Sequence, residues 1–322
     1  MSKLTSYTFS DIYLTPEGNV FTSDNETSHG LKQLKNVTDI EKFYYELENG
    51  YNFKNSSYAV VYDDVIFRVE RIQTMTGIGY CARRMPKEPP DLMSLGLPEG
   101  FLRHLVSLNR KTGLIIWAGP TGMGKTTSIS SLLCKFLQRE GGFAYTIEDP
   151  PEMPLDGVYM SKRGGLGLCK QTSPIDGDWG GALKSALRSR PHYILVGEVR
   201  TSETASQLLR AATSGHLVLS TIHANSVEDA INSLVKYAVS QDMSEDLAYD
   251  LLSRGILGVV HQVLQGSKTM FPQVRFVFSN PDSTKGDQVR AIIKSGKINL
   301  GTTIESQMAR MFNGEALYKD LS

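Results

Sequence analysis

A glycine-rich run in the first half of the chain has the residue types and spacing of a phosphate-binding loop. The run GPTGMGKTT fits the pattern G-x-x-x-x-G-K-[ST] and comprises Gly119, Pro120, Thr121, Gly122, Met123, Gly124, Lys125, Thr126 and Thr127. Glycines let backbone N–H groups turn toward phosphate oxygens, the lysine reaches the β and γ phosphates, and the next hydroxyl ligates magnesium. We therefore predict that this loop binds ATP and Mg2+, with Thr126 as a metal ligand.

The sequence on both sides of the run favours this interpretation. An apolar, strand-like run at 114–117 precedes the loop, and a helical pattern at 128–137 follows it. A helix that begins at the loop adds its N-terminal dipole to the binding of phosphate. A chance match in a glycine-rich loop would lack this strand and this helix.

Two acidic residues follow later strand-like runs. Glu148 follows the run 143–147 and Glu198, preceded by Gly197, follows the run 193–196. Carboxyl ends of parallel strands lie at the edge where ligands of open α/β sheets bind. We expect Glu148 to polarise the attacking water, and Glu198 to act as the base or on magnesium through water. The alternatives are that Glu148 only caps a turn before two prolines, and that Glu198 is an ordinary surface residue at a strand end.

A histidine and several arginines complete the set of candidates. His223 follows a fourth run at 217–220, and from there it could donate a hydrogen bond to a γ-phosphate or to a catalytic glutamate. A lone histidine is more often structural, but its place at a strand end favours a functional role. Arginines could bring positive charge to the γ-phosphate. The candidates are Arg68, Arg71, Arg83, Arg84, Arg188, Arg190, Arg200 and Arg210.

The pattern along the chain predicts two domains. Residues 1–95 combine a helical segment at 39–47 with alternating runs on either side of Asp63-Asp64, which indicates an α+β domain with a hairpin. Three prolines between 86 and 90 indicate a linker. From 96 to 322, short apolar runs alternate with helical segments, as in α/β proteins with a buried parallel sheet. The stretch 229–264 is predicted to be mainly helical, which gives this domain a helical C-terminal part.

Composition limits the kinds of partner. Lys plus Arg and Asp plus Glu both number 34, so the net charge gives no electrostatic case for sequence-independent binding of nucleic acid. The three cysteines are too far apart in sequence to indicate a zinc site or a disulfide framework. No apolar run has the length of a membrane span, and the N-terminal residues lack the apolar core of a secretory signal. We expect a cytoplasmic protein that reaches a membrane only through partner proteins.

Taken together, these stretches resemble the secretion ATPase superfamily, which includes type II and type IV secretion motors and type IV pilus motors. GPTGMGKTT resembles its Walker A box and TIEDPPE its Asp box. ALRSRPHYILVGEVR, at 186–200, resembles its atypical Walker B box, including the glycine before the glutamate. TSGHLVLSTIHANS, at 213–226, resembles its His box. SDIYLTPEG and VIFRVERI resemble parts of its N-terminal domain.

The resemblance implies a RecA-like P-loop ATPase core with a smaller, PAS-like α+β N-terminal domain. It also implies a homohexamer with ATP between the N-terminal domain of one subunit and the core of the next. The family's arginines map onto Arg68 and Arg84 in the N-terminal domain and onto Arg188 and Arg200 in the core. Such a ring would dock on an inner-membrane component and drive pilus retraction, or type IV secretion and conjugation. The missing tetracysteine module favours the PilT-like and DotB-like, conjugative type IVB branch.

Two other classes of function remain open from the sequence. RecA-like cores also translocate nucleic acid, and DNA-stimulated hydrolysis with a steep salt dependence would identify such a motor. A nucleotide-gated scaffold would bind ATP without turnover, and measurement of phosphate release would identify it.

Overall fold

The computed structural model describes residues 2–23, 30–53, 55–240, 242–266, 270–282 and 286–318. The chain divides into two compact units. The N-terminal unit consists of Met1–Glu88 and Asp149–Pro154, and the core unit consists of Pro89–Glu148 and Leu155–Ser322. The first division falls within the proline-rich stretch 86–90. No pattern in the sequence indicates that the short segment after Glu148 belongs with the N-terminal unit.

Antiparallel strands and a helix form the N-terminal unit. Its elements are β1 (Asp11–Leu14), β2 (Val20–Ser23), β3 (Lys32–Leu34), α1 (Ile40–Gly50), β4 (Ser57–Tyr62), β5 (Val65–Gln73) and β6 (Ile78–Arg84). Within the described ranges they give a six-stranded antiparallel sheet in the order β3-β2-β1-β6-β5-β4. The predicted hairpin is confirmed, because β4 and β5 pair on either side of Asp63 and Asp64.

The apolar face of α1 supplies the core of this unit. Phe43 and Leu47, four residues apart, lie on one face of the helix and are fully buried. The Phe43 ring meets the Phe67 ring of β5 edge to face, with centroids 5.0 Å apart. Helix and sheet thus share one hydrophobic cluster, as an α+β unit requires.

The core unit alternates helices and strands. Its helices are α2 (Glu99–Ser107), α3 (Lys125–Glu140), α4 (Trp179–Arg188), α5 (Ser202–Ala212), α6 (Val227–Ala238), α7 (Glu245–Gly255), α8 (Gln288–Lys294) and α9 (Gly301–Phe312). Its strands are β7 (Gly113–Ala118), β8 (Gly142–Ile147), β9 (Gly157–Met160), β10 (Leu166–Thr172), β11 (Tyr193–Val196), β12 (Leu217–Ile222), β13 (Ile256–Gln265) and β14 (Phe271–Phe278).

The strands of the core unit form one mixed sheet, which in the described part of the chain has the order β14-β13-β7-β12-β11-β8-β10-β9. The central strands are parallel, and each edge carries an antiparallel pair, β13 with β14 and β10 with β9. Every residue of β7, β11 and β12 is buried, as expected of parallel strands covered on both faces. The predicted α/β fold with a buried parallel sheet is confirmed.

The prediction of a mainly helical stretch at 229–264 is confirmed as far as Gly255 and fails after it. The helix α7 ends at Gly255, and residues 256–265 form β13. This segment is rich in β-branched side chains, and it pairs with β7 on one side and β14 on the other. Within the described ranges, the C-terminal part is therefore helical in α6 to α9, and β13 and β14 form an antiparallel pair between α7 and α8.

No helix in the described ranges is both long and apolar enough to cross a membrane. The longest of those helices, α3, has 16 residues. At 1.5 Å per residue it would measure about 24 Å, less than the roughly 30 Å of a bilayer core.

Candidate functional site

Four neighbouring parallel strands bring the four sequence motifs to one edge of the core sheet. The strands β7, β12, β11 and β8 lie side by side in this order. At their carboxyl ends they continue into the glycine-rich loop, His223, Gly197-Glu198 and Glu148, respectively. Motifs up to about a hundred residues apart in sequence thus meet at the edge where open α/β sheets bind ligands.

The loop between β7 and α3 has the backbone shape that its glycines predict. Gly119, Gly122 and Gly124 all have positive φ angles, of 149°, 75° and 74°. A Cβ at Gly119 would lie 2.3 Å from the backbone oxygen of Gln262, so no side chain fits there. Among the described residues, no side chain caps the N-terminus of α3, whose first residue is Lys125. The first backbone N–H groups of a helix are unsatisfied and bind anions such as phosphate.

Lys125 lies over this loop with little exposure to solvent. Its side chain is 7% exposed, and Nζ donates a hydrogen bond to the backbone oxygen of Pro120 at 2.8 Å. Nδ1 of His223 lies 3.5 Å from the same Nζ. The lysine and the histidine that the sequence singled out are therefore neighbours.

Glu198 is the acid next to this histidine. Its Oε1 lies 2.7 Å from Nε2 of His223, and its Oε2 accepts a hydrogen bond from Nε of Arg200 at 2.7 Å. The carboxylate is 17% exposed, whereas Arg200 is largely exposed. His223 thus lies between Lys125 and Glu198, with one ring nitrogen near each.

Glu148 is buried against Gly197, the residue that precedes Glu198. It is 3% exposed, and its Oε1 accepts a hydrogen bond from Nε2 of Gln171 on β10 at 2.8 Å. A Cβ at Gly197 would lie 3.1 Å from Cγ of Glu148. The glycine before Glu198 therefore gives room to the Glu148 side chain, which explains in packing terms why a larger residue does not stand there.

The four arginines taken from the family resemblance lie in different surroundings. Arg200 is at the site, bound to Glu198. Arg188 is exposed at the end of α4, before β11 begins, so it lies toward the opposite edge of the sheet from the loop. Within the N-terminal unit, Arg68 pairs with Glu152 at 3.0 Å. Arg84 donates to the backbone oxygens of Thr5 and Tyr7, at 2.9 and 3.2 Å. Catalytic roles for these arginines stay predictions.

Sequence reasoning missed two glutamines. Gln171 holds Glu148, and Gln262 lies against the glycine-rich loop from β13. Gln262 is 1% exposed in a strand that is otherwise mostly apolar. A polar residue inside such a strand was the available signal, because buried amides have hydrogen-bond partners.

The donor set fits a magnesium ion held mainly by phosphate oxygens and water. Within the described ranges, no cluster of three or more His, Cys, Asp or Glu side chains could enclose a metal ion. Thr126 lies in the first turn of α3, which follows β7, and Glu198 follows β11, which β12 separates from β7 in the sheet. Mg2+ keeps several waters and takes few protein ligands when it is bound with a nucleotide, so this sparse set is adequate.

Comparison with known proteins gives a consistent family. Residues 55–294 match the family described as type II/IV secretion system protein. The type II secretion system protein E of Klebsiella pneumoniae is 37% identical over 175 residues, which cover 54% of this chain and 32% of that protein. The type IV pilus ATPase PilU of Pseudomonas aeruginosa is 34% identical over 172 residues, 53% of this chain and 43% of that protein. The matches thus span less than half of each of these relatives.

Solved structures show the same fold. The pilus retraction motor PilT, solved with bound ADP, superposes with a TM-score of 0.70 at 26% identity, over 96% of this chain and 87% of that one. The ATPase DotB of Legionella pneumophila gives a TM-score of 0.67 at 19% identity, over 97% and 89% of the two chains. The predicted RecA-like core with a smaller N-terminal domain is confirmed.

Proposed function

The chain belongs to the family of type II/IV secretion system proteins, and we propose that it hydrolyses ATP to power a type IV pilus or a type IV secretion machine. The observation that carries the proposal is the meeting of the glycine-rich loop, Glu148, Glu198 and His223 at one edge of the core sheet. Phosphate binding, water activation and a sensor of the γ-phosphate require such groups within reach of one nucleotide.

The loop and α3 would bind the phosphates of ATP. Backbone N–H groups of the loop and of the first turn of α3 supply the anion site, and the Lys125 ammonium adds a positive charge. Because Lys125 donates to the Pro120 oxygen, its chain is already directed over the loop. Thr126, together with Glu198 through water, would hold a Mg2+ ion that neutralises charge on the phosphates.

The two acids and the histidine would act on the attacking water. Glu198 and Glu148 lie at adjacent strand ends, and each is oriented by a protein donor, Arg200 for the first and Gln171 for the second. His223 could transmit the presence of a γ-phosphate, because its two ring nitrogens lie near Lys125 and Glu198. Electrostatic positioning of this kind supplies most of the catalysis of phosphoryl transfer.

Measurement of phosphate release tests the hydrolysis. Wild-type protein should release phosphate from Mg-ATP, and Lys125→Ala should reduce the rate to background while the protein stays folded. Lys135→Ala on the same helix, where the lysine pairs with Asp91 at the surface, is the matched control and should keep the wild-type rate. Nucleotide binding without phosphate release by the wild type would instead indicate a scaffold. Stimulation by DNA with a steep salt dependence would indicate a nucleic-acid motor.

The active form in this proposal is a cytoplasmic homohexamer, docked on an inner-membrane component of the machine. The support is the family resemblance and the likeness to the pilus retraction motor. Light scattering coupled to size-exclusion chromatography, with and without nucleotide, tests the hexamer. A monomer that keeps its specific activity on dilution would contradict it.

Complementation of a deletion strain tests the biological role. His223→Ala should bind ATP and assemble but fail to restore function, and Lys125→Ala should also fail. Pili, twitching motility and conjugative or effector transfer, scored in parallel, distinguish retraction from secretion. Full rescue by both variants would exclude a motor driven by hydrolysis.

A further inference from the structure

We propose that Gln262 is a positioning residue for the phosphate-binding loop, and that its side-chain carboxamide fixes the Met123 carbonyl so that the neighbouring backbone N–H groups face the nucleotide. The inference rests on the proposed function of the loop in nucleotide binding. Gln262 stands 139 residues after Met123 and lies outside the four sequence motifs. Its role is visible only in the folded core.

The orientation of the Gln262 carboxamide follows from the chemistry of its neighbours. Its Oε1 lies 2.9 Å from Nε1 of Trp117 and 2.9 Å from Oγ of Ser128. An indole N–H only donates, so the atom that faces Trp117 must be the oxygen. The Nε2 group therefore points at the loop, where it donates to the backbone oxygen of Met123 at 2.6 Å.

This one side chain links three consecutive segments of the nucleotide site to β13. Trp117 lies at the end of β7, Met123 in the loop and Ser128 in the first turn of α3. Gln262 and Ser128 are 1% and 2% exposed, and Trp117 is fully buried. Hydrogen bonds in such a site are shielded from water, and a buried partner left without its bond carries a large penalty.

The loop backbone also rests directly on Gln262. A Cβ at Gly119 would lie 2.3 Å from the Gln262 backbone oxygen, and a Cβ at Gly124 would lie 3.0 Å from its Nε2. The amide N–H of Leu264 contacts Sδ of Met123 at 3.3 Å. Both glycines thus serve close packing on β13 as well as the positive φ angles of the loop. The underside of the loop is supported by one strand, and its open side is left for phosphate.

The substitution Gln262→Glu tests the role of the donated hydrogen bond. A carboxylate keeps the shape and still accepts from Trp117 and Ser128, but it cannot donate to the Met123 oxygen. At neutral pH we expect the Kd for a fluorescent ADP derivative to rise by ~10-fold or more, since two acceptors then face each other in a buried site.

The same variant should recover at lower pH. A protonated carboxyl donates through its hydroxyl and accepts through its carbonyl, so it reproduces the pattern of the amide. Burial raises the pKa of an introduced carboxyl, which brings this recovery into the accessible range between pH 8 and pH 5. If the substitution weakened binding only through lost packing, protonation of the carboxyl would not restore the affinity for ADP. The elements packed around β13 carry other charged and titratable groups. They are Lys125 on α3 with its neighbour His223, His261 on β13, Arg275 opposite it on β14, and Asp229 on α6. They are present in the wild type, whose profile is therefore the reference.

Gln273→Glu is the matched control. This exposed glutamine on β14 undergoes the same change of charge, so it should bind the ADP derivative as the wild type does at every pH. Thermal unfolding without nucleotide establishes that each variant is folded. If Gln262→Glu does not fold, Gln262→Asn, which keeps the amide but cannot span the same distances, should raise Kd by ~10-fold.

Each outcome bears on the inference separately from the proposed function. Wild-type protein that fails to bind the ADP derivative overturns the proposed function and the inference with it. Wild-type binding together with unchanged affinity of Gln262→Glu at pH 7.5, or of Gln262→Asn if that variant is needed, overturns the inference alone. Weakened binding of Gln262→Glu that does not recover at low pH also overturns it, because the residue would then act only through packing.

Discussion

Gly197 packs against the side chain of Glu148: a methyl group at Gly197 would lie only 3.1 Å from Cγ of Glu148. This distance is shorter than nine in ten Cβ contacts in proteins. A side chain at position 197 would therefore force the Glu148 side chain to move. The Glu148 carboxylate is also held by Gln171 and is 3% exposed, which leaves it little freedom to move aside. The two acidic motifs of the site are therefore linked by packing as well as by their common edge.

Replacement of Gly197 by alanine should disturb catalysis more than folding. The φ angle of this glycine is not positive, so alanine fits the backbone, but its methyl group must displace Glu148 by a few tenths of an ångström. We expect roughly tenfold slower phosphate release, because misplaced catalytic groups lose rate steeply, with a Kd for ADP near the wild-type value. Gly165→Ala is the control, since a Cβ there meets open space. A wild-type rate in Gly197→Ala would show that the position of Glu148 is not critical.

Removal of the charge of either acid should separate binding from hydrolysis. Glu198→Gln and Glu148→Gln leave the loop and Lys125 intact, so both should bind Mg-ATP and release phosphate at least ~100-fold more slowly, as for loss of a general base. Stopped-flow binding and phosphate-release assays measure the two quantities on one sample. Glu88→Gln, at an exposed position outside the site, controls for charge. Loss of nucleotide binding in Glu198→Gln would assign that residue a structural role.

The two arginines of the N-terminal unit should behave differently when truncated. Arg68 forms an exposed pair with Glu152, which contributes at most about 1 kcal/mol. Arg68→Ala should therefore leave the melting temperature nearly unchanged. If Arg68 acts on the nucleotide of a neighbouring subunit, the same substitution should lower the turnover rate by ~10³. Arg84 binds two backbone oxygens and lies 5.4 Å from the Phe9 ring, so Arg84→Ala should reduce the free energy of unfolding by about 1–3 kcal/mol.

Steady-state hydrolysis and urea unfolding of the two variants distinguish these roles. Full turnover in Arg68→Ala would exclude it as an arginine that acts on a neighbouring subunit. If Arg84→Ala keeps the wild-type stability but loses turnover, Arg84 acts at the nucleotide site and is not a structural residue.

His104 should make the stability of the core unit depend on pH. Its ring packs edge to face on Phe278 at 4.5 Å, and burial lowers its pKa to about 4. The unfolded chain, with a pKa of about 6.5, therefore binds a proton first as the pH falls. The contribution to stability is complete above pH 6.5 and is lost as the pH falls toward 4. Linkage gives a loss of about 2 kcal/mol between pH 7 and pH 5 from this residue.

Urea unfolding at pH 7 and pH 5 measures this effect. His104→Asn should be less stable at pH 7, because the ring contacts are lost, but it should lose about 2 kcal/mol less between the two pH values. An unchanged pH dependence in His104→Asn would show that other groups determine it.

Local patterns sufficed for the loop and for the strands that lead to the site. The glycines of the loop 119–127 follow from its backbone conformation. The apolar runs before Glu148, Glu198 and His223 follow from burial of the strands on both faces. Both effects determine the types of adjacent residues, so the sequence pattern predicts them. The polar Gln262 in an apolar strand indicated a buried role, but local pattern could not assign the roles of Gln262 and Gln171, because their partners lie on other segments of the chain. The strand β13 was not distinguished from the helices before it, because a short apolar run has no distinctive period and only pairing with β7 and β14 decides its conformation.

The order of strands in the core sheet also bears on how the protein is made. The strand β7 lies between β12 and β13, which follow it at 217–222 and 256–265. On the ribosome, the glycine-rich run emerges long before either neighbour of its strand exists. Pairings between distant segments form slowly and leave apolar strands uncovered during synthesis, which makes a nascent chain prone to aggregation and dependent on chaperones. The loop acquires its supported shape only after Gln262 has left the exit tunnel.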